Sequence, residues 1–481
     1  MVGGAAGTVM LATMARCPGR HRHGLDLIRS TGVPSGTAYR TLVRLERAGL
    51  ITGRWQDERR GYLLTPDGVR EAADRGRAAA DRGRAAAGVA QQPSKTLPWV
   101  GVTLVAVFAS CLTLSRPEPA RMTDLGVYLG AVGGLRHGAS LYDFMSAGHA
   151  PFTYPPFAAL LFGPLARTAT LPLQVAWTLA TVATVVVLAG VLTRETKVRA
   201  ADDVGAADDS RAIRAVRNAP LIAAVLLLSA PVASNLKYGQ VSVALAALVL
   251  LDVLALRANR CQGVLIGVAA AIKLTPLIFI PMLWLAGRRT AAVVATSTFT
   301  ACALLAWVLL PDDSVRYWST EMWRVSRLGY ITSVGNQSLN GALMRSGVDG
   351  AIRSSLVLVV GGAVTAIALR RAAHLGRRGD WLSATVVTGS AGIVLSPVSW
   401  THHQVWLVLA ALLPVAAPTS VRRAWPPAVT AVMMLPVTAL GPPVWSNMRL
   451  VAALVVACLL PIGGRPRCPP IDDRRAEMRC G

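Results

Sequence analysis

From Leu97 to Ser115 the chain runs for 19 residues without a charge. A helix rises about 1.5 Å per residue, so this stretch is long enough to cross the hydrocarbon core of a bilayer. Further apolar runs begin near residues 172, 219, 241, 262, 276, 291, 352, 382, 404, 425 and 447. In lipid a backbone must satisfy its own hydrogen bonds, which makes helices the natural form for such runs. The expected fold is an all-α polytopic membrane protein of about 12 transmembrane helices. Only 15% of the residues are charged, against roughly 25% in soluble domains, so most of the chain is not a soluble globular protein. The apolar segment 155–166 is short, and is expected to be a re-entrant or interfacial helix.

The net charge of +24 would point to nucleic acid in a soluble protein. Here the basic residues crowd the loops between apolar runs, as the positive-inside rule expects. Segments 193–218, 257–260, 287–289, 370–378, 422–423 and the tail after 464 hold 21 Lys and Arg, against 12 on the opposite side of the membrane region. This bias puts both termini in the cytoplasm. The seven cysteines form no CxxC pair, so neither a disulfide framework nor a zinc site is expected.

Residues 1–96 are polar and Arg-rich, unlike the apolar remainder of the chain. His23 to Ile28 reads as a helix. Ser35-Gly36-Thr37 can cap a second one, with Leu42, Leu45 and Leu50 along its apolar stripe. Arg59 to Thr65 reads as a turn and a short strand. Ser35-Gly36-Thr37-Ala38-Tyr39, Arg44 through Ile51 and Arg60 through Thr65 resemble the PadR-like winged-helix family over about 50 residues. That resemblance implies a winged helix-turn-helix and candidate DNA contacts from Arg40, Arg44 and Arg59. Residues 72–78 and 79–85 repeat Ala-Ala-Asp-Arg-Gly-Arg-Ala. Their glycines weaken a helix by about 1 kcal/mol each, so 72–96 is expected to be a tether. The expected organisation is 1–71 winged helix, 72–96 linker, 97–463 membrane domain and 464–481 basic tail.

Polar residues inside or beside apolar spans tend to be functional. Five groups stand out, all on the outer side of the expected topology. Asp124, four residues before Tyr128, lies soon after the first span, where its carboxylate can take a proton from a hydroxyl. It can equally be a solvated loop aspartate. Tyr154-Pro155-Pro156 sets a rigid entry to a short apolar helix. Gly239-Gln240 precedes one span, and Lys273, with Pro276, lies between two others. Such a lysine either snorkels or pairs with an anion such as phosphate. Asn336-Gln337-Ser338 comes late in a long loop. Ser396 through His403 ends with two adjacent histidines. Neighbours on a helix point about 100° apart, so this spacing does not suit a shared metal.

In this order the six elements Asp124/Tyr128, Tyr154-Pro155-Pro156, Gly239-Gln240, Lys273/Pro276, Asn336-Gln337-Ser338 and Ser396–His403 resemble the polyprenol-phosphate-mannose-dependent mannosyltransferases of glycosyltransferase family 87. The resemblance covers roughly residues 97–463. Where the family has Asn after Gly-Gln, this chain has Val241-Ser242. The resemblance implies a GT-C type bundle with an extracytoplasmic site and a polyprenyl-phosphate-mannose donor whose lipid stays in the bilayer. It also implies a lipid-linked mannoside acceptor and an inverted, α-1,2-linked product. Asp124 would be the base, with His402 and His403 beside it. Lys273, Gln240, Tyr128, Tyr154, Asn336, Gln337, Ser399 and Trp400 would hold the donor phosphate and sugar. No metal or cofactor is expected. Three alternatives stay open: arabinofuranosyl transfer from a polyprenyl-phosphate donor, a lipid-sugar transporter, and a membrane-tethered transcription regulator. A transporter predicts hydropathy repeats and midplane polar residues, and the sequence shows neither.

Overall fold

The structure, a computed structural model, describes residues 4–15, 19, 21–56, 59–87, 97–202, 218–257, 259–441 and 443–462. The tail 464–481 lies outside them, as does much of the expected linker. The chain divides into two compact units, one built from residues up to Leu97 and one from Pro98–Val198 with Arg211–Arg465.

The first unit is small and mixed. Its order is α1 (Gly4–Ala15), β1 (Arg22–His23), α2 (Gly24–Thr31), α3 (Ser35–Arg47), β2 (Ile51–Gln56), β3 (Arg59–Leu64) and α4 (Pro66–Ala87). The three strands lie antiparallel in the order β1-β3-β2. Leu42 and Leu45 of α3 pack with Leu27, Ile51 and Tyr62 in its core. Ser35 does not cap α3: Pro34 is the N-cap, and its carbonyl accepts from Thr37 and Ala38 N–H at 2.9 Å each. Pro34 fixes its own φ and lets the helix start one residue earlier. Glu46 ties α3 to the hairpin, accepting from Gly53 N–H (2.9 Å) and Arg60 Nη2 (3.0 Å). Gly68 is there because any Cβ would sit 1.9 Å from the Leu50 carbonyl oxygen.

The expected tether is corrected in part. Both copies of the duplicated heptad are helical, in α4. Alanine is the best helix former, and its frequency offsets two glycines. Arg70–Asp67, Arg75–Glu71 and Arg77–Asp74 pairs at helical spacing run along the same helix.

The second unit is helical, and it carries the apolar segments. Among the described residues four helices are long and apolar enough to cross a membrane: Leu97–Leu114, Thr170–Thr196, Arg289–Leu309 and Gly350–Arg377. A fifth crossing is available if Ala219–Leu228 and Ala230–Tyr238, which meet at 60°, act as one broken span. The chain is a multi-pass membrane protein of all-α class by these helices. Twelve full-length crossings are not what the helices provide. Nearly every expected run starts within a few residues of a helix, but several are only 10–17 residues long, among them Thr275–Leu285 and Trp381–Leu395. The run from 404 yields only Val405–Leu409. Segment 155–166 holds the seven-residue helix Pro156–Phe162, about 10 Å long and far short of a bilayer.

Candidate active site

The local geometry begins with two backbone conformations. Gly239 closes helix Ala230–Tyr238 in the left-handed region at φ +68°, and a Cβ there would lie 2.7 Å from Leu125 Cβ and 2.9 Å from Met122 Cβ. Only glycine satisfies both demands. Met122, at φ 50°, is the N-cap of helix Thr123–Leu135, and its N–H donates to the Lys237 carbonyl at 3.0 Å. This contact sets Gln240 against Asp124, in the first turn of the next helix.

A chain of hydrogen bonds starts there. Gln240 Nε2 donates to Asp124 Oδ2 at 2.5 Å. Tyr154 donates its hydroxyl hydrogen to Gln240 Oε1 at 2.8 Å, and Tyr128 donates to the Tyr154 hydroxyl at 2.9 Å. Lys273 Nζ donates to the same Tyr154 oxygen at 3.1 Å and lies 2.8 Å from His403 Nε2. Asp124, Tyr128, Tyr154, Gln240, Lys273 and His403 are thus brought together from distant parts of the sequence. His402 stands beside them, its ring edge-on to His403 with centroids 4.5 Å apart. The Tyr128 ring is held by stacking on Phe162 at 4.8 Å. Pro155 is the N-cap of Pro156–Phe162, so the two prolines turn Tyr154 toward this network.

Lys273 and His403 line a solvent-open cavity, about 530 Å³ with its open mouth included, whose other walls include Ser242, Ser399, Gly392 and Trp406. Gly389 lets the Trp406 ring come close, since a Cβ there would meet it at 2.4 Å. Buried polar atoms near this region that lack a protein partner include Ser242 Oγ, Ser399 Oγ and His402 Nε2. Buried polar atoms are nearly always paired, so these mark places for a ligand or water. Ser242 carries no signal in the sequence beyond its departure from a motif. Two hydroxyls, an amine and an imidazole on one cavity suit a phosphate monoester. Among the described residues no cluster of three or more His, Cys, Asp or Glu is arranged for a metal.

Burial holds the Asp124 carboxyl above its ordinary pKa, although Gln240 and the charge of Lys273 act against that. Burial pushes the Lys273 ammonium down to about 8, opposed by Asp124. Burial and then Lys273 hold both histidines well below their usual pKa. Near neutral pH the site therefore holds one ammonium beside two neutral imidazoles.

Asn336, Gln337 and Trp400 sit differently. Asn336 Oδ1 accepts from the Ser338 and Ser399 N–H groups, and its Nδ2 donates to the Ile331 carbonyl. Gln337 Nε2 donates to the Val334 and Ser446 carbonyls, and Oε1 accepts from Leu450 N–H at 3.0 Å. Both side chains are fully buried. Their hydrogen-bonding capacity goes to backbone. Trp400 lies against Gly329 and Gly335, and its N–H faces His403 Nδ1 at 3.2 Å. Ser399 joins both regions, its backbone bonded to Asn336 and Gln337 and its hydroxyl on the cavity.

In the first unit, Arg40 and Arg44 are exposed on α3, with Arg40 Nε donating to the Gly36 carbonyl. The Arg59 side chain lies outside the described residues.

The profile of glycosyltransferase family 87 matches residues 152–397, about half of the chain. The match spans Tyr154, Gln240, Lys273, Asn336 and Gln337; Asp124 lies before it, and Ser399, Trp400, His402 and His403 lie after it. The transcriptional regulator PadR-like family matches residues 20–74. A polyprenol-phosphate-mannose-dependent alpha-(1-2)-phosphatidylinositol pentamannoside mannosyltransferase of Mycolicibacterium smegmatis is 34% identical over 298 residues, 61% of this chain and 69% of the relative. A polyprenol-phosphate-mannose-dependent alpha-(1-2)-phosphatidylinositol mannoside mannosyltransferase of the same organism is 34% identical over 307 residues, 58% of this chain and 65% of the relative. A protein of the same description from Mycobacterium tuberculosis is 32% identical over 275 residues, 55% of this chain and 61% of the relative. No solved structure matches.

Proposed function

Since the chain belongs to glycosyltransferase family 87, we propose that it transfers mannose from polyprenyl-phosphate-mannose to a phosphatidylinositol mannoside through an α-1,2 bond. The observation that carries this reading is the bonded sequence Asp124–Gln240–Tyr154–Lys273–His403. It sets a carboxylate at one end and the cationic and imidazole groups of a cavity at the other. A displacement at a sugar carbon needs both.

In this reading Asp124 takes the proton of the acceptor hydroxyl as its oxygen bonds to the anomeric carbon. The bond from that carbon to the phosphate oxygen breaks, and its electron pair leaves with the phosphate. Lys273 holds the departing charge, with His402 and His403 and the hydroxyls of Ser242 and Ser399 beside it. Preorganised donors in a low-dielectric site stabilise such charge strongly. One displacement inverts the sugar carbon, so a β-linked donor gives an α-linked product. We place this site on the extracytoplasmic face of a GT-C type bundle of about 12 membrane segments, the short helices completing the count. The domain limits 1–71, 72–96, 97–463 and 464–481 are part of the same proposal.

The test is transfer of radiolabelled mannose from the polyprenyl donor by the purified full chain in liposomes, with phosphatidylinositol mannosides as acceptors. The expected product loses its label to an α-1,2-mannosidase. Transfer only from polyprenyl-phosphate arabinose would replace the sugar. No transfer, with donor moved across the liposome membrane, would replace the enzyme by a transporter.

A further inference from the structure

The loop after the span Arg289–Leu309 carries a charged cluster that the proposed mechanism does not use. Glu321, only 4% exposed, binds Arg316 Nε through Oε1 at 3.0 Å and Arg327 Nη1 through Oε2 at 2.5 Å. Its pKa is lowered: burial works against the carboxylate, but Arg327 and Arg316 outweigh it. The free arm of Arg316 donates to Asp143 at 2.6 Å and Ser140 at 3.2 Å. Glu321 is thus saturated by two arginines. Arg324 reaches it only at 3.5 Å and is 53% exposed, so its planar fork of donors is largely unspent.

The setting is that of a membrane boundary. Val308 and Leu309, at the end of the candidate span, are exposed, as are Val315 and Trp323. Exposed tryptophan beside the end of a span is characteristic of the lipid–water interface. The same loop is joined to the site by bonds rather than mere proximity. Arg327 Nη2 donates to the Tyr142 carbonyl at 2.8 Å, and the Tyr142 hydroxyl donates to the Tyr154 carbonyl at 2.9 Å.

We propose that Arg324 and Trp323 dock the phosphodiester headgroup of an anionic glycerophospholipid, and that this is the lipid end of the acceptor. A guanidinium matches a phosphate bidentately, and the indole takes the adjoining glycerol and upper acyl region. A mannoside acceptor carries its reacting hydroxyl at the end remote from its phosphate. The two must be held in fixed relation, and the Arg327–Tyr142–Tyr154 connection ties this surface to the network that holds Asp124. The inference rests on the acceptor assigned above, but its binding arm does not.

The full chain is placed in phosphatidylcholine nanodiscs with and without phosphatidylinositol, and retained phosphatidylinositol is counted by native mass spectrometry. The native chain is expected to retain it, and Arg324→Glu to lose it with affinity reduced roughly tenfold or more, about 1.4 kcal/mol. Arg324→Lys should fall between. Equal retention by native chain and Arg324→Glu overturns the proposal, as does displacement of the lipid by millimolar inorganic phosphate. In the transfer assay, the kcat/KM ratio of a phosphatidylinositol mannoside to octyl mannoside should drop about tenfold in Arg324→Glu. An unchanged ratio overturns the link to the acceptor. If the native chain mannosylates nothing, the mannosyltransferase reading fails and the retention experiment still decides the lipid site.

Discussion

Two buried polar regions of the membrane unit look alike in sequence and differ in what their atoms do. Around Asp124, Lys273 and His403 the side chains bond mainly to one another, and the cavity beside them keeps the Ser242 and Ser399 hydroxyls unpartnered. Around Asn336 and Gln337 the side-chain amides are committed to backbone N–H and C=O groups from three segments. A region with unspent donors and opposite charges is equipped to bind and react. A region with none left over is equipped to hold loops in register. Burial alone does not separate them.

The sharpest division comes from Asp124→Asn. It keeps the shape and removes the base, so transfer should fall about 10²- to 10⁴-fold with the detergent melting temperature nearly unchanged; wild-type rates would erase the distinction. Gln337→Leu should do the opposite. It takes the Gln337 amide from Leu450 N–H and the Val334 carbonyl, a loss on the order of 3 kcal/mol, read as a lower melting temperature with activity per folded molecule retained. If folded Gln337→Leu binds donor poorly, the second region is also part of the site.

A smaller effect concerns pH. Lys273 is charged below about 8 and loses its charge above it, so kcat/KM should decline as pH rises through that value. Lys273→Arg should carry the decline well upward, because arginine stays protonated. An unmoved alkaline limb would assign it to another group. The least change is expected for Ser242→Ala. Losing one hydrogen bond of about 1 kcal/mol should raise the donor KM a few-fold and leave kcat alone.

Much of the Asp124–Lys273–His403 network is legible in the sequence because its residues sit at positions where cost speaks plainly. A lysine between apolar runs and a carboxylate just past a span stand out against their surroundings. Gly239-Gln240 is legible as a pair but not as a contact, since its packing on Met122 and Leu125 is a long-range event. Asn336 and Gln337 group with the substrate residues in sequence because composition does not say where an amide spends its hydrogen bonds. Ser242 stays silent because an isolated serine carries no signal until its neighbours leave its hydroxyl bare. The fold divides the same way. Nearly every apolar run announces a helix of the membrane unit, but the helix lengths depend on breaks such as the 60° bend between Leu228 and Ala230. In the first unit, alanine content prolongs Pro66–Ala87 where two glycines suggest a tether.

The 2.8 Å approach of Lys273 Nζ to His403 Nε2 has a thermodynamic corollary. Two fully charged nitrogens would repel at that separation, so the pair is held one hydrogen ion short of full protonation. The polyprenyl phosphate left after transfer, a dianion, reverses that preference and draws the missing ion from the medium. Occupancy by a phosphorylated lipid should therefore tighten as the solution is acidified, and calorimetric titrations in buffers of different ionisation enthalpy should register the uptake directly.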